Sequence, residues 1–400
     1  MRRAAGALLA LVVVAAGTAQ ERRIDDGRPW LEPGSEPSSG ADPILRGSAA
    51  TALNDPAAEA LLQGVIRSRP GSDAASQAYE LLSRIYLRRG QYARAIANLD
   101  AWAKAFPGRA EVTTERADIE QFRGLPDQVN GSRRESALRH ETGDFAVPIT
   151  INGKGATYVL DTGAWISIIT EAEAKRLGLA IRTASVAVGD SSGKGAKGRT
   201  AIAPEVALGA MRFRNLSFVV LPNEGPWASM PPGRGGILGV PVILGLGRVE
   251  WSAAGTWNLA GRAEAAHPAE RNLVFSGNHL LVAASVSDTR VFATLDTGAE
   301  TTDLNSNFAE AFAALVEKQG VRGAHDITGL GGTQSLDAVT LPEVIFGIGN
   351  ARAPLRPAHV TTQRIGGIGG ACCIGNLGLD VLTETGALTI DLSAMILHLR

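Results

Sequence analysis

The sequence predicts a mainly β chain of two duplicated lobes preceded by a short α-helical hairpin segment, and three observations carry that prediction. Apolar residues recur at helical spacing only between residues 57 and 124. Beyond residue 143 the period falls to two and glycines multiply. The second part of the chain then repeats itself block by block, in order. With 400 residues, of which 45% are hydrophobic, there is apolar material for two or three domains.

The chain opens Met1-Arg2-Arg3, runs from Ala4 to Gly17 almost without a polar atom, and continues Thr18-Ala19-Gln20. A basic start, an apolar run and small residues at Gly17 and Ala19 fit an export signal over residues 1–19, cleaved near Ala19. An uncleaved anchor is the alternative, but the run is shorter than the roughly 20 residues a bilayer span needs. Cleavage leaves no stable membrane span and places the protein in the periplasm or outside the cell. Residues 20–50, rich in Gly, Pro, Ser and Asp without a sustained period, suit a flexible linker.

Residues 51–128 form the helical segment. Leu61, Leu62, Val65 and Ile66 recur at helical spacing and stop at Pro70-Gly71. Leu82, Tyr86, Gly90, Tyr92, Ala95, Leu99, Trp102 and Pro107 then describe a helical hairpin: Gly90 permits the turn, Ala95 lets the helices approach and Pro107 ends the second helix. Their order resembles one tetratricopeptide repeat, with weaker half-units at 57–70 and 110–124. Because such repeats usually need neighbours, the segment is either a short docking module for a protein partner or a helical prefix packed on the β lobes.

The duplicated lobes are expected over 142–262 and 272–400. Phe145 to Ala164 aligns without gaps to Leu280 to Ala299, at an offset of 135. In each, an alternating strand runs to a polar tip and a second strand returns to Asp-Thr-Gly-Ala, so each hairpin delivers one carboxylate at its end. Pro204-Glu205-Val206 recurs as Pro342-Glu343-Val344; Gly236-Ile237-Leu238-Gly239 recurs as Gly375-Asn376-Leu377-Gly378; and Val249-Glu250-Trp251-Ser252 recurs as Leu388-Thr389-Ile390-Asp391.

An apolar strand ending in Asp-Thr-Gly-Ala, answered downstream by Ile-Leu-Gly or Asn-Leu-Gly, resembles the lobe of the aspartic proteases, and the resemblance covers residues 142 to 400. It implies a bilobal fold, pepsin-like in holding both lobes in one chain and retropepsin-like in the lobe itself. It further implies an aspartic endopeptidase acting on polypeptides, without a cofactor or metal and as a monomer. Asp161 and Asp296 would be the catalytic pair. Two carboxyls a few ångströms apart cannot both ionise cheaply, so they share a proton, and one activates water while the other protonates the scissile carbonyl. Thr162 and Thr297 would be the buried hydroxyls that cross-link the two turns. Gly163 and Gly298 would let the backbone approach the carboxylates and present N–H groups to them.

Ala164 and Ala299 stand where pepsin-type members usually carry a hydroxyl residue, which implies a less acidic working range. No tyrosine follows Tyr158, so the flap tyrosine of pepsins has no counterpart. Flap candidates are the glycine-rich tips Gly189 to Gly198 and Gly329 to Gln334. Pro241 stands opposite Asp380 in the repeated blocks, so the helices that start there must differ. A peptide-binding or scaffold protein without catalysis is the alternative function.

Other chemistries are excluded. Thirty-nine basic residues against 40 acidic ones and 5% aromatics offer neither the field nor the stacking surface of a nucleic-acid reader. The six histidines, His140, His267, His279, His325, His359 and His398, show no metal spacing. The glycine runs at 347–349 and 366–370 lack the following helix of a phosphate cradle. The only cysteines, Cys372 and Cys373, read as two small buried hydrophobes, with a vicinal disulfide as the alternative in an oxidising compartment.

Overall fold

The computed structural model describes residues 26–32, 35–140, 145–189, 195–260, 268–329, 332–362 and 372–400. The expected signal at 1–19, the tips of both flap candidates (190–194 and 330–331), His267 and the 366–370 glycine run lie outside the described residues. The architecture is mostly β, with barrel-like sheets and a helical N-terminal part. Among the described residues no helix is long and apolar enough to cross a membrane.

Five helices make the N-terminal part: α1 Pro43–Ala52, α2 Ala58–Ser68, α3 Asp73–Arg88, α4 Tyr92–Ala105 and α5 Ala110–Ile119. Helix α1 corrects the expectation of a flexible linker over residues 20–50. Asp42 caps it by accepting from the Ile44 N–H, Pro43 starts it, Gly47 lets it press onto Leu62 of α2, and Ala52 packs instead with Leu31, Val274 and Leu281. Residues 28–31 are ordered too, as a 3₁₀ turn whose Arg28 donates to the Cys372 carbonyl. Helix α2 stops before Pro70-Gly71, and α4 before Pro107. Between α3 and α4, Gly90 turns the chain at φ +65°, a left-handed conformation that side chains disfavour. Ala95, Leu99 and Trp102 are wholly buried, and the Trp102 indole donates to Ser76 Oγ at 2.9 Å.

An eight-stranded sheet comes next, in the order Val129–Asn130, Met211–Leu221, Ser167–Thr170, Gly236–Leu238, Lys154–Leu160, Ala146–Ile151, Ala196–Leu208, Val186–Val188. The additional pairing of Met211–Leu221 with Ala196–Leu208 closes it on itself. The larger second sheet contains the run Asp303–Leu304, Gly375–Leu377, Thr289–Leu295, His279–Val286, Val344–Ile348. In each sheet the strand that ends at an Asp-Thr-Gly pairs antiparallel with its hairpin partner and parallel with a three-residue strand from the downstream glycine block. A third sheet joins the two halves: Arg248–Ser252 pairs antiparallel with Ala387–Asp391, flanked by Thr256–Leu259 and Ser136–Arg139 on one side and Ile396–Leu399 on the other. One continuous apolar core runs through all three sheets.

The helical part packs directly on the first sheet. Phe122, just beyond α5, lies edge-on to Trp165 with ring centres 5.1 Å apart, and Gln128 donates to the Pro241 carbonyl at 3.0 Å. Gln121 accepts the Ala187 N–H at 2.9 Å, which ties the strand leading to the first flap candidate to the helices. Cys372 and Cys373 are joined to each other, a correction to their reading as two separate apolar residues. Cys373 is buried beside Leu31, Val274 and Leu281.

Candidate active site

The site forms where the two Asp-Thr-Gly turns meet. Alternation in Lys154–Leu160 and Thr289–Leu295 turns Tyr158, Leu160, Ala293 and Leu295 into the core, so each strand is anchored up to the residue before its aspartate. The Asp161 N–H donates to the Leu238 carbonyl at 2.9 Å and the Asp296 N–H to the Leu377 carbonyl at 3.0 Å, tying each turn to the glycine block of its own half. Both aspartates are wholly buried.

Beneath them the threonines cross over. The Thr162 N–H donates to Thr297 Oγ1 at 3.1 Å, and the Thr297 N–H returns the bond to Thr162 Oγ1 at 3.1 Å. Each hydroxyl then donates into the other half, Thr162 to the Leu295 carbonyl at 2.7 Å and Thr297 to the Leu160 carbonyl at 2.6 Å. Four hydrogen bonds between turns 135 residues apart fix the spacing of the carboxyls.

The inner oxygens are treated alike. Asp161 Oδ1 accepts the N–H groups of Gly163 and Ala164 at 2.7 and 3.1 Å, and Asp296 Oδ1 those of Gly298 and Ala299 at 2.9 and 3.1 Å. Gly298 also presses on the opposite carboxyl: a Cβ there would fall within 3.0 Å of Asp161 Cγ and both its oxygens. Glycine is needed here for want of room.

The outer oxygens differ. Asp296 Oδ2 accepts from Asn376 Nδ2 at 2.8 Å, and Asn376 Oδ1 is in turn held by the Thr294 hydroxyl at 2.6 Å. Asp161 Oδ2 is buried and receives no donor among the described residues. Burial, then the facing charge of Asp296, holds the Asp161 carboxyl well above the usual carboxylate range, against the pull of the Gly163 and Ala164 N–H groups. Burial raises Asp296 too, opposed first by Asn376 and then by its backbone donors.

Asn376 and Thr294 do not stand out as site residues in the sequence. The one signal is an Asn in Gly375-Asn376-Leu377-Gly378 where the first block has Ile237, but its partner Thr294 is 82 residues away. A second pair supports the glycine blocks from behind: the Gly239 N–H donates to Ser167 Oγ at 3.1 Å and the Gly378 N–H to Thr302 Oγ1 at 2.9 Å. In the second half Asp380 clasps Thr302 through its N–H at 2.9 Å and its hydroxyl at 2.6 Å. Pro241 holds the corresponding place in the first half and starts the helix Val240–Leu246 instead.

Tyr158 is buried in the core with its hydroxyl on Glu173. Among the described residues no group of three or more His, Cys, Asp or Glu side chains is placed to hold a metal. His325 and His359 instead stack at 4.2 Å, with His325 Nε2 2.8 Å from Asp303 Oδ1.

No curated protein matches the chain. Residues 147–242, which carry Asp161, its turn and the glycine block behind it, match the family model described as aspartyl protease, and that match supports a hydrolase of the protease class.

Proposed function

We propose that the chain is an exported aspartic endopeptidase that cleaves polypeptides between Asp161 and Asp296, with the two catalytic halves a duplicated lobe in one chain that works as a monomer. The observation that carries this reading is the pair of buried carboxyls on turns cross-braced by Thr162 and Thr297. In its working state the pair holds one proton. The ionised carboxylate takes a proton from water as the water oxygen bonds to the scissile carbonyl carbon, and the protonated partner gives its proton to the carbonyl oxygen. The resulting gem-diol collapses as a proton passes to the amide nitrogen and the C–N bond breaks, leaving acid and amine. No acyl-enzyme forms. Duplication is supported by the four repeated blocks and by the matching order of pairings around each aspartate. Export is supported by residues 1–19 alone.

The test uses the purified chain from residue 20 onward with a mixed peptide library between acid and neutral pH. Cleavage is expected, with Asp161→Asn and Asp296→Asn each abolishing it while circular dichroism stays unchanged. No cleavage by the unmodified chain at any pH overturns the protease reading. Mixing the two inactive variants should restore nothing; restored activity would place the pair between chains.

A further inference from the structure

We infer that Asn376 is a positioning residue that seats the pair's shared proton on Asp161 and keeps Asp296 as the carboxylate. Its catalytic consequence rests on the reading of the pair as a protease site.

The geometry is local and one-sided. Asn376 is wholly buried, and its Nδ2 lies 2.8 Å from Asp296 Oδ2. Its other amide atom is 2.6 Å from the hydroxyl of Thr294, a separation typical of O–H···O and short for N–H···O. Thr294 therefore donates to Oδ1, and the N–H₂ end is directed at the carboxylate. Thr294 is itself held at 3.2 Å from the Gly375 carbonyl on the same strand pairing. An amide N–H can only donate, so Asp296 Oδ2 is satisfied as an acceptor, and a proton placed on it would face that N–H.

The equivalent place in the other half is apolar. Thr294 pairs in register with Asn376, whereas Val159 pairs in register with Ile237. Neither Val159 nor Ile237 has a side-chain donor to offer Asp161 Oδ2; apart from the facing Asp296 carboxyl, with which Asp161 can share a proton, that oxygen has no donor among the described residues. A buried oxygen without a donor is less costly as an O–H than as part of an anion. With one proton to share, the pair is driven toward Asp161–OH and Asp296–CO₂⁻. Asp296 then takes the proton of the attacking water and Asp161 gives its proton to the scissile carbonyl oxygen.

The deciding measurement is a pH titration of the aspartate carboxyl ¹³C resonances in the unmodified full-length fold, with Asp161 and Asp296 assigned by loss of signal in Asp161→Asn and Asp296→Asn. The expected result is that Asp296 carries the charge across the range where the pair holds one proton. Charge on Asp161 in that range, or charge equally divided, overturns the inference. The paired substitution Thr294→Val with Asn376→Ile, which gives this half the apolar pair of the other, should divide the proton between the two carboxyls. It should also raise the lower apparent pKa by about one to two units, the shift expected from a lost hydrogen bond to a charged group. In kinetics the acid limb of the kcat profile should move by the same amount with KM nearly unchanged. Placing the polar pair in both halves, by adding Val159→Thr and Ile237→Asn to the native chain, should also weaken the preference for Asp161–OH. If the titration order is as expected but no peptide is cleaved, the protease reading fails and the proton placement stands. The reverse order with cleavage intact overturns the proton placement alone.

Discussion

Behind each carboxylate, at the same position of the strand pairing, the first half of the chain sets Val159 beside Ile237 and the second sets Thr294 beside Asn376. The turns in front are alike: two backbone N–H groups on the inner oxygen and a threonine reaching across. Farther back they part again, with Pro241 starting a helix in one half and Asp380 gripping Thr302 in the other. The lesson is a division of labour. Backbone and threonines set where the carboxyls stand, which needs symmetry, while the wall behind sets how they ionise, which needs its absence.

The largest effect should come from removing room. Gly298→Ala drives a Cβ into the Asp161 carboxyl, so kcat/KM should fall at least about 100-fold, the scale of a catalytic group displaced by roughly an ångström. Near-native activity would mean that the carboxyls are not held against each other, and the comparison would lose its object.

The threonines test the symmetric part. Thr162→Val and Thr297→Val each remove a hydroxyl that donates once and accepts once in a buried setting, so each should cost about 2–4 kcal/mol in urea unfolding. Equal costs are expected; a gap larger than about 1 kcal/mol, well beyond the few tenths by which equivalent contacts usually differ, would break the symmetry at the level of the turns.

Ionisation tests the asymmetric part. Both folded carboxyls are raised above the ordinary value, so the stability they contribute is present at acid pH and is lost as pH rises through their folded values. Asp161→Asn removes that loss. Its unfolding free energy should exceed that of the unmodified chain at neutral pH, by about 1.4 kcal/mol for each unit of raised pKa, and should match it at a pH below the unfolded carboxylate value, as read from urea unfolding. Asp296→Asn should gain less, because Asn376 already offsets part of that carboxyl's burial. The reverse ranking would contradict the contrast between the two walls.

The mildest change concerns the fourth residue of each turn. Ala164→Ser with Ala299→Ser offers each carboxylate a hydroxyl, and the activity profile should move toward acid by about one to two pH units. An unmoved profile would show that the backbone donors and Asn376 alone set the pair.

Much of this arrangement was legible in the sequence because it rests on local pattern. The two hairpins ending at Asp161 and Asp296 show as period-two alternation closed by the same four residues, and the helix stops at Pro70-Gly71 and Pro107 are steric facts of single residues. Helix α1 was illegible because its buried residues include Gly47, Ala49, Ala50 and Ala52, small residues that look like a tether until Leu62 is placed against Gly47 and the Leu31–Val274–Leu281 cluster against Ala52. The joining sheet escaped for another reason. Val249-Glu250-Trp251-Ser252 and Leu388-Thr389-Ile390-Asp391 were visible as copies of each other, but nothing local says that the copies pair with each other, as they do at Val249 with Ile390 and Trp251 with Leu388. Asn376 is a polar residue in an otherwise apolar slot; what it touches depends on the register of two distant strands.

That joining sheet also orders events during synthesis. Asp161 leaves the ribosome long before Thr297, which braces its turn, and before Ala387–Asp391, which pairs with Arg248–Ser252. A nascent chain therefore carries one carboxyl with nothing facing it, and contacts of such long sequence separation are among the slowest to form. Completion of the last strands sets the second carboxyl opposite the first and closes the joining sheet, so the paired site exists only once the C-terminal strands are in place.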